Sequence, residues 1–388
     1  MTRLSQRVQS LPPYLFAEIE RKVAGKRAAG IDIISLGIGD PDTPTPPSVV
    51  EAMIAGVRDS ATHQYPNNRG TIEFRRAVAD YYARRFGVKL DAETEVIPLL
   101  GAKEGIAHIC PVLLDQGDVC LAADPGYPVY TTGPMLADGR AVHLPLLPEL
   151  GFQPDLAAIE PAVLAKAKMI FVGYPNNPTG AVIEDDFFAR LVAFAHKHDL
   201  VVVHDNAYAD ITYEGYVAPS FLETPGAKDV GIELFSLSKS YNMTGWRVGA
   251  IVGNKTIVDA YWRLKTNVDS GMFVAVQRAG AEALNGPQDS VAALCLMYQH
   301  RRDLLVEALL SIGLKAAAPK GSIYLWVPVP TGHTSASFTQ LVLDQADVII
   351  SPGGAYGPSG EGYVRMSLTL PDERLKEAVG RIKDRVKF

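Results

Sequence analysis

From Val96 onward, short apolar runs alternate with longer stretches of helical periodicity, a pattern that favours a mostly parallel sheet wrapped by helices. The runs Val96–Leu100, Val119–Ala122, Met169–Val172, Leu200–Val203, Leu234–Leu237 and Val248–Val252 read as strands buried on both faces. Between them, Asp185–His198 can place Phe187, Leu191, Val192 and Phe194 on one helix face. The last third differs. A helix through Asp289–Ile312, a strand over Ser322–Val329, a helix near Ser335–Gln345, strands at Val348–Ile350 and Tyr363–Leu368 and a closing helix Asp372–Lys387 predict a smaller α+β domain. The segment Leu36–Pro47, with four prolines, suits a connector. The fold class is therefore α/β with a smaller α+β domain. The expected division is 1–45 as an arm with part of the small domain, 46–285 as the large domain and 286–388 as the small C-terminal domain.

The 388-residue chain carries a net charge of −6, which gives no general electrostatic reason to bind nucleic acid or an anionic membrane. No apolar run approaches the ~18 residues that span a bilayer, and Met1 to Phe16 lacks a long signal-peptide core. Cys110, Cys120 and Cys295 are an odd number without a C-x-x-C pair, so core thiols in a reducing compartment are expected. Cytoplasmic residence follows.

The richest chemistry lies in Ser236-Leu237-Ser238-Lys239-Ser240, followed by Thr244-Gly245-Trp246-Arg247. A lysine amine can form an imine with an aldehyde cofactor, and desolvation or neighbouring cations favour its reactive neutral form. The hydroxyls and Arg247 could hold a phosphate dianion. Alone, Lys239 reads as a surface lysine after a strand; the whole string argues against that. In His204-Asp205-Asn206-Ala207-Tyr208, Asp205 ends a buried strand, where open α/β sheets bind ligands. A carboxylate there could keep a pyridine nitrogen protonated, and Tyr208 could donate to a ring oxygen; a helix N-cap is the plainer role for Asp205. Tyr174-Pro175-Asn176-Asn177-Pro178-Thr179-Gly180 is by default a turn, yet it holds an asparagine rigidly beside a strand end. Gly101-Ala102-Lys103-Glu104-Gly105 opens a helix, a ready phosphate site. Tyr127, in Asp124-Pro125-Gly126-Tyr127-Pro128, could stack on a planar ring.

Other patterns carry less. His196 and His198 are two apart on a predicted helix and do not share a face, so no metal site is expected. His204 and Asp205 should point to opposite sides of their strand. The glycine-rich Ser351–Gly362 segment is not a nucleotide fingerprint and reads as a loop near the domain seam.

Taken in order, Asn177-Pro178-Thr179-Gly180, Asp205 with Tyr208, Ser236-x-Ser238-Lys239 with Arg247, and Tyr363-Val364-Arg365-Met366-Ser367 resemble the fold-type I, class I/II aminotransferases across essentially the whole chain. The resemblance implies pyridoxal 5′-phosphate as cofactor, bound mainly by the large domain. It implies Lys239 as the Schiff-base lysine and the base that moves a proton between substrate Cα and cofactor C4′. Asp205 would pair with the pyridinium nitrogen, Asn177 and Tyr208 would contact the ring oxygen, and Tyr127 would stack on the ring. Ala102, Lys103, Ser236, Ser238 and Arg247 would hold the phosphate. Tyr65 and Ser270 would reach the neighbouring subunit's site, implying a homodimer with shared active sites. Arg365 would grip the substrate α-carboxylate in a two-pronged hydrogen bond beside the Gly39 backbone.

The opening Leu11-Pro12-Pro13-Tyr14-Leu15-Phe16, the Leu36–Pro41 turn, Gly101–Gly105 and Lys265–Gly271 are similar to the LL-diaminopimelate aminotransferase branch. That likeness implies amino transfer between LL-diaminopimelate, or its cyclised keto product tetrahydrodipicolinate, and 2-oxoglutarate/glutamate, with Tyr14, Lys103, Tyr127 and Asn177 also touching substrate. Thr266 stands where the classical aspartate enzymes place an arginine for the side-chain carboxylate. Competing readings are an aspartate, alanine or aromatic aminotransferase, a carbon–sulfur lyase on the same scaffold, and a non-catalytic ligand sensor. Retention of Lys239, Asp205 and Arg365 counts against the sensor.

Overall fold

A computed structural model describes residues 3–12 and 16–387. Twelve strands run in chain order: β1 (Ile34–Ser35), β2 (Val96–Leu99), β3 (Val119–Asp124), β4 (Arg140–Pro145), β5 (Ala167–Val172), β6 (Val201–Asn206), β7 (Gly231–Ser236), β8 (Gly249–Gly253), β9 (Tyr324–Pro328), β10 (Val348–Ile349), β11 (Ser351–Pro352) and β12 (Tyr363–Ser367). Seven of them form one sheet in the order β2-β8-β7-β6-β5-β3-β4. Its pairs are parallel from β4 to β7, while β8 runs antiparallel to both β7 and β2.

Each central strand divides its side chains between two cores. Leu121, Ile170 and Val202 enter one core with Phe74, Tyr82 and Leu191, while Cys120, Phe171 and Val203 enter the other with Ile106, Ile109 and Tyr261. Burial on both faces explains why these strands are continuous apolar runs. The sequence reading missed β4 because it is an edge strand, half-exposed along Arg140–His143. Cys110 and Cys120 are buried free thiols, whereas Cys295 is only half-buried and donates to the Asp210 carbonyl.

A third core gathers the C-terminal elements. It packs Tyr298, Leu305 and Leu309 of the helix Asp289–Ser311 against β9 and β12 of the antiparallel sheet β11-β12-β9. Ile34 and Leu36 join it, since β1 pairs in parallel with β10. Tyr208, Ile211 and Tyr213 also enter this core, so the segment after β6 spans from the main sheet to the C-terminal elements. The Leu36–Pro47 connector runs between these regions, with Asp42 paired to Arg301 at 2.7 Å. Among the described residues, no helix is long and apolar enough to cross a membrane.

Strand alternation sends His204 away from Asp205, as expected. His204 lies opposite Glu233 in the register of β6 and β7, and its Nδ1 is 2.7 Å from that carboxylate. Its Nε2 accepts the Tyr174 N–H, which leaves Nδ1 to donate to Glu233. Glu233 also accepts from Ser220 Oγ, the Phe221 N–H and Asn206 Nδ2. Burial alone would raise its carboxyl, but the His204 hydrogen bond and these other donors outweigh burial and hold it below the usual range. Glu233→Ala should therefore lower stability by about 3 kcal/mol or more, by stranding several buried donors. A urea-unfolding comparison with Glu233→Gln, which keeps an acceptor, checks this.

Candidate active site

The C-terminal ends of the parallel strands converge on one edge of the sheet. There β2 runs into Gly101, β5 into the Asn177 turn, β6 into Asp205 and β7 into Lys239. Because β8 is reversed, its beginning lies at the same edge and delivers Arg247. A cavity of about 620 Å³ opens here, lined by residues of all five segments and by Tyr324, Tyr356 and Arg365 from the C-terminal elements. A wider groove of about 1320 Å³ runs past Gln153, Lys168 and Arg190, but it contains none of the expected site residues.

Lys239 lies in the short helix Leu237–Ser240, and its Nζ donates to the Gly39 carbonyl at 2.5 Å. Burial pulls its ammonium below the usual lysine range. The Arg365 and Arg247 cations add to that effect, against opposition from Tyr324 and Asp40. The shift is toward the neutral amine, at a residue that lines the cavity. Asp205 Oδ2 accepts from Tyr130 at 2.8 Å, while its buried Oδ1 has no hydrogen-bond partner. Burial pushes this carboxyl above the usual range, despite the Tyr130 hydrogen bond and the nearby His204. A cation or donor placed at Oδ1 would lower that carboxyl again.

One part of the cavity lining offers donors suited to an anion. Gly101 precedes the helix Ala102–Leu113, and no side chain caps that N-terminus. Its φ of +82° favours glycine, and a Cβ at this position would collide with the Arg247 guanidinium. Ser236, Ser238, Ala102 and Lys103 line the same cavity.

Another part holds Arg365. Its Nη1 donates to Asn177 Oδ1 at 2.8 Å and its Nη2 to the Gly37 carbonyl at 2.7 Å, while buried Nε has no acceptor. The guanidinium lies 3.9 Å from the Tyr324 ring centre and 4.6 Å from that of Tyr356. Gly39 adjoins this group because any Cβ there would overlap the Tyr324 hydroxyl. An acceptor for Nε and an anion for the buried cation are what this part lacks.

A sequence profile described as "Aminotransferase class I and II" matches residues 31–382. The chain belongs to the class I and II aminotransferases. It is 54% identical over 98% of its length, and 97% of the relative's, to the LL-diaminopimelate aminotransferase of Desulforudis audaxviator. It is 52% identical, with the same coverage, to that of Moorella thermoacetica. Substrate-bound BacF from Bacillus subtilis superposes with a TM-score of 0.96 at 37% identity, covering 100% of this chain and 99% of that one. The sheet and its helices have the fold-type I architecture expected from the sequence, and the protein is an aminotransferase.

Within this aminotransferase, the cavity brings together Gly39, Ala102, Lys103, Tyr127, Asn177, Asp205, Tyr208, Ser236, Ser238, Lys239, Arg247 and Arg365. Tyr65 and Ser270 are outside this lining, and Tyr65 is 89% exposed. Tyr14 lies outside the described residues. Sequence reasoning missed Tyr130, Tyr324 and Tyr356. Tyr130, three residues after Tyr127 and in the first turn of the helix Val129–Leu136, could have been suspected; it stacks on Phe171 at 4.9 Å and reaches Asp205. Tyr324 and Tyr356 come from distant strand and loop positions with no local signature of a site.

The Asp205 carboxyl has a testable sign. Its folded pKa lies above its unfolded value, so folding favours the protonated form and stability falls as pH rises between the two. In the ligand-free protein, Asp205→Asn should remove that fall and raise the melting temperature at neutral pH, by about 1–2 °C per kcal/mol of burial penalty removed. Calorimetric scans of the ligand-free protein from acidic to neutral pH check both direction and slope.

Proposed function

We propose that this aminotransferase holds pyridoxal 5′-phosphate in the strand-edge cavity and transfers an amino group between LL-diaminopimelate, or tetrahydrodipicolinate, and 2-oxoglutarate/glutamate, as lysine biosynthesis requires. The observation that carries the cofactor assignment is the unpaired Asp205 Oδ1 in the same cavity as Lys239 and the Arg247 anion cradle. A protonated pyridine nitrogen supplies what that oxygen lacks, and a phosphate suits the Gly101 helix terminus with Ser236, Ser238 and Arg247. The residues fit the group. The substrate assignment is supported by the two relatives at 54% and 52% identity.

In this reading Lys239 anchors the cofactor, Tyr127 stacks on it, and Asn177 and Tyr208 face its ring oxygen. Tyr65 and Ser270, outside the cavity of their own chain, serve a neighbouring subunit in a cytoplasmic homodimer. Bound pyridoxal phosphate supplies an electron sink for the pair left when a substrate Cα–H bond breaks. The chain's residues set where that bond lies. Arg365 takes the α-carboxylate through its free Nε, and the tyrosine rings hold its guanidinium plane. Lys239, whose ammonium burial disfavours, would serve as the base whose Nζ carries the proton between the substrate Cα and the cofactor C4′. Asp205, ionised once its Oδ1 is paired, keeps the ring nitrogen protonated. Tyr14 and Lys103 then serve the distal end of a long substrate. The chain divides accordingly into 1–45, 46–285 and 286–388.

Borohydride reduction of the holoenzyme should fix the cofactor on Lys239, and Lys239→Ala should abolish that adduct; peptide mapping of an adduct elsewhere refutes the assignment. In single half-reactions followed by cofactor absorbance, LL-diaminopimelate should react faster than aspartate, by about tenfold or more if its distal group gains even one good polar contact. The reverse order selects the aspartate reading.

A further inference from the structure

Lys265 is a fully buried cation outside the cavity, with only 1% of its side chain exposed. It ends the helix Lys255–Lys265. Its Nζ donates to Glu104 Oε1 at 2.9 Å and to Asp269 Oδ2 at 2.8 Å. Glu104 Oε1 also accepts from the Tyr261 hydroxyl at 2.8 Å and lies 3.4 Å from His108 Nδ1. A buried lysine needs such partners, since an unpaired charge here would be severely penalised.

The far oxygens of both carboxylates lead to backbone. Glu104 Oε2 accepts the Leu100 N–H at 2.5 Å, clamping the turn that contains Gly101. Gly101 in turn lies directly against the Arg247 guanidinium. On the other side, Asp269 Oδ1 accepts the Gly271 N–H at 2.7 Å, closing the turn that presents Ser270. Although burial alone would raise it, the His108 and Lys265 interactions lower the Glu104 carboxyl to about 2, so the clamp stays ionised across the working pH range. One ammonium therefore ties the phosphate-facing turn of this chain's cavity to the turn proposed to serve its neighbour.

We propose that Lys265 is a positioning residue for phosphate recognition, acting through Glu104 on the Gly101 turn and through Asp269 on the Ser270 turn. This rests on the cofactor reading above. Its function is distinct from support of the fold: the chain of contacts ends on the anion cradle and does not touch the part of the cavity that faces the ring. Loosening the cradle should weaken binding of the phosphorylated cofactor while leaving the contribution of the ring unchanged.

The test compares pyridoxal 5′-phosphate with phosphate-free pyridoxal as ligands of the full-length apoenzyme, by absorbance titration. In wild type the phosphate ester should bind far more tightly. Lys265→Met and Glu104→Gln should each reduce the ratio of the two dissociation constants by about tenfold or more, an effect of one lost charge-assisted contact, with the pyridoxal constant nearly unchanged. Lys265→Arg should restore part of the ratio, as a second cation within reach of both carboxylates. If Glu104→Gln or a folded Lys265→Met lowers melting temperature yet keeps the wild-type ratio, Lys265 is structural only and the proposal is overturned. Should Lys265→Met not fold, Glu104→Gln decides by the same ratio. A wild-type protein that binds neither ligand would instead overturn the cofactor reading on which the proposal depends.

Discussion

Burial of the main sheet on both faces is the constraint from which the site follows. Strands such as β3, β5 and β6 pass between two apolar cores, so polar groups along them require internal partners. The sheet meets that demand once, by surrounding Glu233 with His204, Ser220, Asn206 and a backbone N–H. Elsewhere the ionisable residues are concentrated at the strand ends, where the chain leaves the apolar layers. Reversal of β8 adds Arg247 to that edge, which a wholly parallel order would have carried to the opposite side.

The edge is chemically incomplete in a consistent way. Asp205 has one oxygen without a donor, Arg365 has one N–H without an acceptor, and no side chain caps the Ala102 helix terminus. Unsatisfied buried polar atoms are costly in a finished core, but Asp205, Arg365 and Ala102 all line one cavity. Their signs also differ: Asp205 offers an acceptor, while Arg365 and the Ala102 helix terminus offer donors. An elongated ligand with anionic termini and a cationic ring matches that set, whereas a simple anion would leave Asp205 unserved. Stability forgone at these atoms is consistent with function located where local rules are broken.

Much of this was legible in sequence because the relevant signals are local. A strand ending in Asp205, or in Ser236 to Lys239, announces itself through an apolar run that stops abruptly at polar residues, and those positions do meet in one cavity. The strand β4 was hidden because edge exposure replaces apolar residues with Arg140 and His143, erasing the buried-strand pattern. Tyr324 and Tyr356 were hidden for another reason. Their importance comes from packing their rings close to Arg365, a long-range placement that no spacing encodes. The ionisation of Asp205 was likewise beyond sequence, since it depends on burial and on which of its two oxygens finds a partner.

The division of labour between regions now has a physical basis. The main sheet supplies Lys239, Asp205 and the Gly101 turn with Arg247, all at or just beyond strand ends. The C-terminal elements supply Arg365, with Tyr324 on the adjoining strand and Tyr356 in the short helical turn Gly353–Tyr356 that precedes β12. Asn177 joins the two, because its side-chain oxygen accepts from Arg365 while its backbone belongs to the turn after β5. Tyr208 does the same from the other direction, leaving β6 and packing into the C-terminal core beside Tyr324 at a hydroxyl separation of 3.3 Å. Any ligand held at both ends of the cavity must therefore bridge two packing units that are already joined by these two side chains. Orientation of a reacting bond between them becomes a property of the scaffold, and binding energy from the termini can be directed to the bond in the middle.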